Sequence, residues 1–201
     1  MPIRRVTVYA ASSQGLAAHY YTAAAALGQV LAEHGLSIVY GGGRHGLMGA
    51  MADAALAHGA HVEGVIPDFL QEMEAGHTGL SRLTVVGDLH TRKRLMLDGS
   101  HAVVCLPGGC GTFEELFEAM TFKRLGLFSG PIVLVNTAGY YDRCLDWLRY
   151  SITERFMSEA HGAMWQVVLT PEEVPEALVG APEWSEDARR FCAVTRDPEL
   201  D

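Results

Sequence analysis

Short apolar runs alternate along the chain with longer segments whose apolar residues recur at helical spacing. Arg5 to Ala11 reads as a buried strand, and the Ala- and Leu-rich stretch from Ala17 to His34 as a helix stopped by Gly35. Further strands are predicted at Leu36 to Tyr40, His61 to Ile66, Arg82 to Val86, Ala102 to Leu106, Pro131 to Val135 and Gln166 to Leu169. Helices are predicted at Gly46 to His58, His90 to Leu97, Thr112 to Leu125 and Tyr140 to Phe156. The segment from Pro67 to about Gly79 reads as a loop or short helix. Thr170-Pro171-Glu172-Glu173 looks like a capping box with proline at the first helical position. Repeated strand–helix alternation predicts an α/β fold: a doubly wound parallel sheet with helices on both faces. One domain over residues 1–180 accommodates the pattern, and the tail 181–201 is expected to be loosely ordered.

Sheets of this kind bind ligands beyond the carboxyl ends of their strands. Three loops qualify: Ser12-Ser13, Gly41 to Gly46, and Pro107 to Thr112. The last is the most informative. An apolar strand ends at Pro107, Gly108, Gly109 and Gly111 follow around Cys110, and a helix begins near Thr112. Glycines permit close backbone approach, and free N–H groups at a helix start favour an anion. Thr112 can cap the helix or offer its hydroxyl to that anion. No Gly-Lys-Ser/Thr follows, so this is a phosphate cradle without the triphosphate chemistry of a P-loop. Glu114 and Glu115 fall in the first turn, where acids suit the helix dipole; two beside a phosphate would repel it unless one contacts a sugar or a water. Gly41 to Gly46 matches G-x-G-x-x-G, the dinucleotide fingerprint, but the acid that should end the next strand is missing, since Glu63 lies mid-strand. That loop is read instead as a second wall of a mononucleotide site.

Charge sharpens the picture. The 201 residues carry 15 Lys+Arg against 24 Asp+Glu, a net charge of −9, which argues against long nucleic acid as a partner. In so acidic a chain, the cluster Arg92-Lys93-Arg94 just ahead of the glycine loop stands out, and at least one of its cations is expected to turn into the pocket. A hydrophobic content of 49% supports one domain with a real core. No apolar stretch is long enough to span a membrane, and Met1 to Arg5 leads directly into the first strand without a secretory pattern. Cys105, Cys110, Cys144 and Cys192 have no C-x-x-C spacing, so free thiols in the cytoplasm are expected. His58 and His61 lack a third ligand, and no metal is expected. Met48 and Met96 read as core or pocket wall, and Tyr140-Tyr141 as a packing pair.

Together these residues resemble the LOG ("Lonely guy") family of cytokinin-activating phosphoribohydrolases, older members of which carry a lysine decarboxylase label. The family pattern P-G-G-x-G-T-x-x-E is matched from Pro107 to Glu115, and its preceding Arg-Lys pair by Arg92-Lys93. Gly41-Gly42-Gly43 with Gly46-Leu47-Met48-Gly49 is similar to its G-G-G-x-x-G-L-M-G. Glu74, His77, Gly79 and Leu80 resemble E-x-x-H-x-G-L, and Asn136 to Tyr141 resembles N-x-x-G-Y-Y. The resemblance covers roughly the first 160 residues. Departures are Ala10-Ala11-Ser12-Ser13 for Cys-Gly-Ser-Ser, Leu89 for Met, Thr91 for Glu, His101 for Asp, and Phe122 to Gly126 for Trp-x-Gln-Leu-Gly. The resemblance implies a Rossmann-like fold, a homodimer and no cofactor. The implied substrate is AMP or an N6-modified AMP, split into free base and ribose 5-phosphate. Arg92 and Glu115 would form the catalytic pair. The substrate-contacting set would comprise Ser12, Ser13, Gly42, Gly43, Met48, Glu74, Lys93, Met96, Gly108, Gly109, Cys110, Gly111, Thr112, Glu114 and Thr121. Two competing readings are a non-catalytic nucleotide-like cofactor carrier, which would need the cradle but not the catalytic pair, and a nicotinamide dehydrogenase resting only on Gly41 to Gly46; the decarboxylase label has no chemical support, since that reaction needs a pyridoxal cofactor and a Schiff-base lysine in a chain with few lysines.

Overall fold

The computed structural model describes residues 2–71, 73, 75–185 and 188. Among them seven strands build one sheet: β1 (Arg5–Tyr9), β2 (Ser37–Tyr40), β3 (Val62–Pro67), β4 (Arg82–Val86), β5 (Ala102–Cys105), β6 (Ile132–Val135) and β7 (Gln166–Val168). Six α-helices accompany them: α1 (Ala18–Glu33), α2 (Gly46–Ala57), α3 (Leu89–Leu97), α4 (Cys110–Arg124), α5 (Asp142–Thr153) and α6 (Val174–Gly180). The strand order is β4-β3-β2-β1-β5-β6-β7, and every pairing is parallel. The chain winds outward from β1 to β4, crosses back to β5, and winds outward the other way. The paired strands β1 and β5 therefore flank the switch point, with Val6 opposite Ala102 and Tyr9 opposite Cys105.

Alternating side chains of the strands feed two apolar layers. Val6 and Val8 pack with Leu27 and Leu31 of α1, Met51 of α2 and Leu178 of α6. Tyr9, Val103 and Cys105 point the other way, into Met96 of α3, Leu116 and Met120 of α4, and Leu145 and Leu148 of α5. The doubly wound α/β architecture expected from the alternation is the one observed. Thr7, a polar residue in a fully buried strand, is satisfied by donating to the Met96 carbonyl at 2.7 Å, which also ties α3 to β1.

Local boundaries differ at informative places. Helix α4 begins at Cys110 rather than near Thr112, because extended Gly109 takes the cap position and Phe113 N–H closes the first turn onto its carbonyl at 3.0 Å. Glu114 and Glu115 consequently lie in the second turn. The capping box at Thr170 does not form: Glu173 accepts from Leu169 N–H and the Thr170 hydroxyl, and Pro171–Glu173 is a 3-10 turn ahead of α6. Pro175 has no N–H to bond the Pro171 carbonyl, so the tighter turn persists. Helix α5 stops at Thr153, just before Arg155 adopts φ +64°. After α6, the Trp184 indole donates to the Lys123 carbonyl at 2.6 Å; most of the tail that follows, including Cys192, lies outside the described residues. No helix among the described residues is long and apolar enough to cross a membrane.

Candidate active site

A cavity of about 230 Å³ opens at the carboxyl end of the sheet, at the β1/β5 switch point. Its wall is formed by the end of β1 with Ser12 and Ser13, by Gly41 after β2, Met48 on α2, Arg92 on α3, and Gly109, Cys110, Gly111, Thr112 and Glu115 of the glycine loop and α4.

Helix α3 delivers the cation. Asp88 caps it, accepting from Thr91 N–H and the Thr91 hydroxyl at 2.8 Å each; these bonds hold the exposed Asp88 carboxyl below its ordinary pKa. One turn on, Arg92 is buried, with Nε donating to the Val65 carbonyl (3.1 Å) and Nη2 to the Gly41 carbonyl (2.7 Å). A buried guanidinium demands such partners. A Cβ at position 41 would sit 2.3 Å from Arg92 Nη2, so a side chain there would push the guanidinium from this place. Lys93, also buried, binds Glu114 and, at 3.1 Å, Glu118. Burial opposes its charge, but the two carboxylates outweigh burial and hold the ammonium above its ordinary pKa. Glu118 escaped the sequence reading; its signal was the spacing of four from Glu114, which places both acids on one helix face.

The glycine loop is stitched to β1 by Leu106 N–H to the Tyr9 carbonyl (2.9 Å) and Ala11 N–H to the Pro107 carbonyl (3.2 Å). Thr112 packs directly onto Gly108, where a Cβ would meet Thr112 Oγ1 at 2.1 Å. From the other side, the Tyr141 hydroxyl donates to the Leu106 carbonyl (2.7 Å) and the Tyr140 hydroxyl to the Gly108 carbonyl (2.5 Å). Asn136 fixes this pair by accepting from Tyr141 N–H and donating to Asp142, both at 2.7 Å. The tyrosines expected merely to pack are latches on the loop. The result is a helix N-terminus with exposed Gly109, Cys110 and Gly111, facing a guanidinium and a carboxylate. Such a surface suits an anion at the helix start and a developing positive charge at Glu115.

Of the residues singled out from sequence, Ser12, Ser13, Met48, Arg92, Gly109, Cys110, Gly111, Thr112 and Glu115 line the cavity. Gly108 supports the wall from beneath Thr112, and Lys93 and Glu114 pair beside it. Gly42 and Gly43 sit behind the wall: the Gly42 carbonyl accepts from His77 N–H at 2.9 Å, and Gly43 bridges to Gly76. Met96 is in the core, and Thr121 is exposed farther along α4. Glu74 lies outside the described residues. The segment after it is anchored by Arg44 N–H to the Ala75 carbonyl (3.0 Å) and by buried His77, which contacts Asp53 at 3.0 Å and accepts from Gly79 N–H at 3.1 Å. Gly41 lines the cavity as the reading of its loop as a second wall expected, whereas sequence reasoning passed over Tyr9; a tyrosine closing a central strand was the available clue.

Comparison with known proteins gives the family. Residues 48–178 match the family model described as "Possible lysine decarboxylase". The chain has only two lysines, and the pairing of Lys93 with two glutamates and of Lys123 with the Gly130 carbonyl (2.8 Å) leaves that label without a chemical basis here. The cytokinin riboside 5′-monophosphate phosphoribohydrolase of Rhodococcoides fascians is 43% identical over 158 residues, covering 78% of this chain and 80% of that protein. The rice enzyme of the same name, LOG, is 39% identical over 185 residues, covering 88% and 76%. The solved molybdenum cofactor carrier protein of Chlamydomonas reinhardtii superposes with a TM-score of 0.67 at 20% identity, covering 89% of this chain and 99% of that one, a likeness of fold alone. By these matches the chain belongs to the LOG family, the cytokinin riboside 5′-monophosphate phosphoribohydrolases.

Proposed function

We propose that this protein hydrolyses the N-glycosidic bond of a nucleoside 5′-monophosphate, AMP or an N6-modified AMP, releasing the free base and ribose 5-phosphate. The observation that carries the reading is the convergence of Arg92, Glu115 and the α4 N-terminus in one cavity. The phosphate sits on the amides of Gly109 to Gly111 with the Thr112 hydroxyl, and that anchorage orients the sugar. Water forms the new bond to C1′ while the C1′–N bond breaks; its electron pair leaves with the base, which takes up a proton. Positive charge grows on the ribose, and Glu115 stabilises it and orients the water. Arg92 assists the electron-rich leaving base. Water is the only co-substrate the reaction needs. The protein acts as a homodimer in the cytoplasm; the dimer reading is supported by the aromatic surface of α5 and the turn after it, where Trp147, Tyr150 and Phe156 are exposed.

The test is release of ribose 5-phosphate from AMP, isopentenyl-AMP, GMP and CMP by the purified protein. Glu115→Gln is expected to fold and lose about 10²–10⁴ in rate. Adenosine, lacking the phosphate, is expected to be a poor substrate. Equal use of adenosine and AMP would contradict the cradle, and tight nucleotide binding with no release would favour a carrier.

A further inference from the structure

Tyr9 closes β1 on the face covered by α3 and α4, and it shares the cavity wall with Arg92 and Glu115. The residue is 2% exposed, and its hydroxyl, which makes no hydrogen bond among the described residues, is not sealed in the core but opens on the cavity. A phenol on the pocket wall that no protein group engages is open to a partner met when the pocket fills. The charged and titratable groups facing it are Glu115, Glu118 and Glu114 from α4, Cys105 from β5, and the α3 cations beside them. Burial and these negative groups push the phenol's pKa well above its ordinary value, so it keeps its proton and acts as a donor. Glu114 and Glu118 already hold Lys93. A carboxylate accepts several donors, so Glu115 has room for the phenol beside any other partner.

We propose that Tyr9 is a positioning residue for the hydrolysis: its hydroxyl donates to the Glu115 carboxylate once the sugar occupies the cavity, keeping that carboxylate ionised and aimed at C1′. The inference rests on the hydrolase reading above. Tyr9→Phe removes one oxygen and nothing else. Hydrogen bonds to charged groups are strong enough that kcat should fall about 10- to 100-fold, with KM nearly unchanged. The acid limb of the kcat/KM profile should move to higher pH, because Glu115 loses a donor to its charged form. Thermal stability should not drop, since no formed bond is lost. Tyr9→Phe combined with Glu115→Gln should be no slower than Glu115→Gln alone. A Tyr9→Phe enzyme with wild-type kcat and an unmoved acid limb overturns the proposal, as does a slow one whose defect multiplies with that of Glu115→Gln. Wild-type protein that releases no ribose 5-phosphate would bring down the hydrolase reading instead, and Glu115→Gln at full speed would remove both residues from the mechanism.

Discussion

Two adjacent tyrosines hold the glycine loop from opposite environments, and removing each phenol should read out differently. Tyr141 and Leu106 are both fully buried, and the hydroxyl–carbonyl bond between them is 2.7 Å. Tyr141→Phe leaves the Leu106 carbonyl without that donor in a site water does not reach, a loss of about 1–3 kcal/mol. At roughly 2–4 °C per kcal/mol for a domain of this size, the melting temperature should fall by about 2–12 °C. Tyr140 is partly exposed, and its bond goes to Gly108 itself. Water can replace that phenol, so Tyr140→Phe should cost under about 1 kcal/mol of stability. It frees the residue on which Thr112 packs, however, and a loosened cradle should raise KM for AMP several-fold. Thermal denaturation and steady-state kinetics on the two variants, side by side, decide the matter. If Tyr141→Phe melts like wild type, or if Tyr140→Phe destabilises equally while keeping its KM, the two latches do not work as described.

Other consequences are equally direct. Gly108→Ala places a Cβ 2.1 Å from Thr112 Oγ1 and 2.6 Å from Thr112 Cβ, so the first turn of α4 must shift; kcat/KM for AMP should fall by about 10²-fold, and unchanged kinetics would show that the contact is not needed. Lys123 is buried with Nζ on the Gly130 carbonyl, and burial lowers its pKa from 10.5 to about 8. Its folded pKa lies below its unfolded one, so the unfolded chain binds more protons between pH 8 and 10.5, and stability at this site rises with pH across that window. Relative to Lys123→Met, the wild type should gain up to ~3 kcal/mol between about pH 7 and pH 10.5 in chemical denaturation; a pH-independent difference would mean that the ammonium is not desolvated.

The sheet was legible because strands covered on both faces must be apolar almost throughout, and β2, β5 and β6 announce themselves that way. The position of the glycine loop between a strand and a helix was legible because Pro107 ends an apolar run and Gly108, Gly109 and Gly111 break it before the next helical pattern. What sequence reasoning missed depends on contacts between distant segments. Nothing local tells Tyr140 from a packing aromatic until Gly108, 32 positions away, is beneath its hydroxyl. The start of α4 was misplaced because threonine carries a side-chain oxygen that can cap a helix, whereas Gly109 takes the cap position through a backbone conformation that only the loop's own geometry reveals. Tyr9 was overlooked since a tyrosine in a buried strand is usually core, and its neighbours Glu115 and Glu118 come from a helix more than a hundred residues later.

The dinucleotide-like match at Gly41 to Gly46 is resolved by asking what occupies the space each glycine leaves. In a dinucleotide site those spaces admit the pyrophosphate to the backbone. Here the space at Gly41 is filled by the Arg92 guanidinium, and that at Gly46 by the backbone of Ala11 to Ser13. The glycines exist to let protein approach protein. The purpose follows from topology: α3 lies between edge strand β4 and central β5, so its crossover runs over β3. A side-chain-free β2 terminus gives Arg92 the room in which its guanidinium sits at the switch point. Glu115 arrives from the opposite direction, on the helix that follows β5. A cation and a carboxylate thus reach one cavity from two separate crossovers, an arrangement that G-x-G-x-x-G alone does not encode.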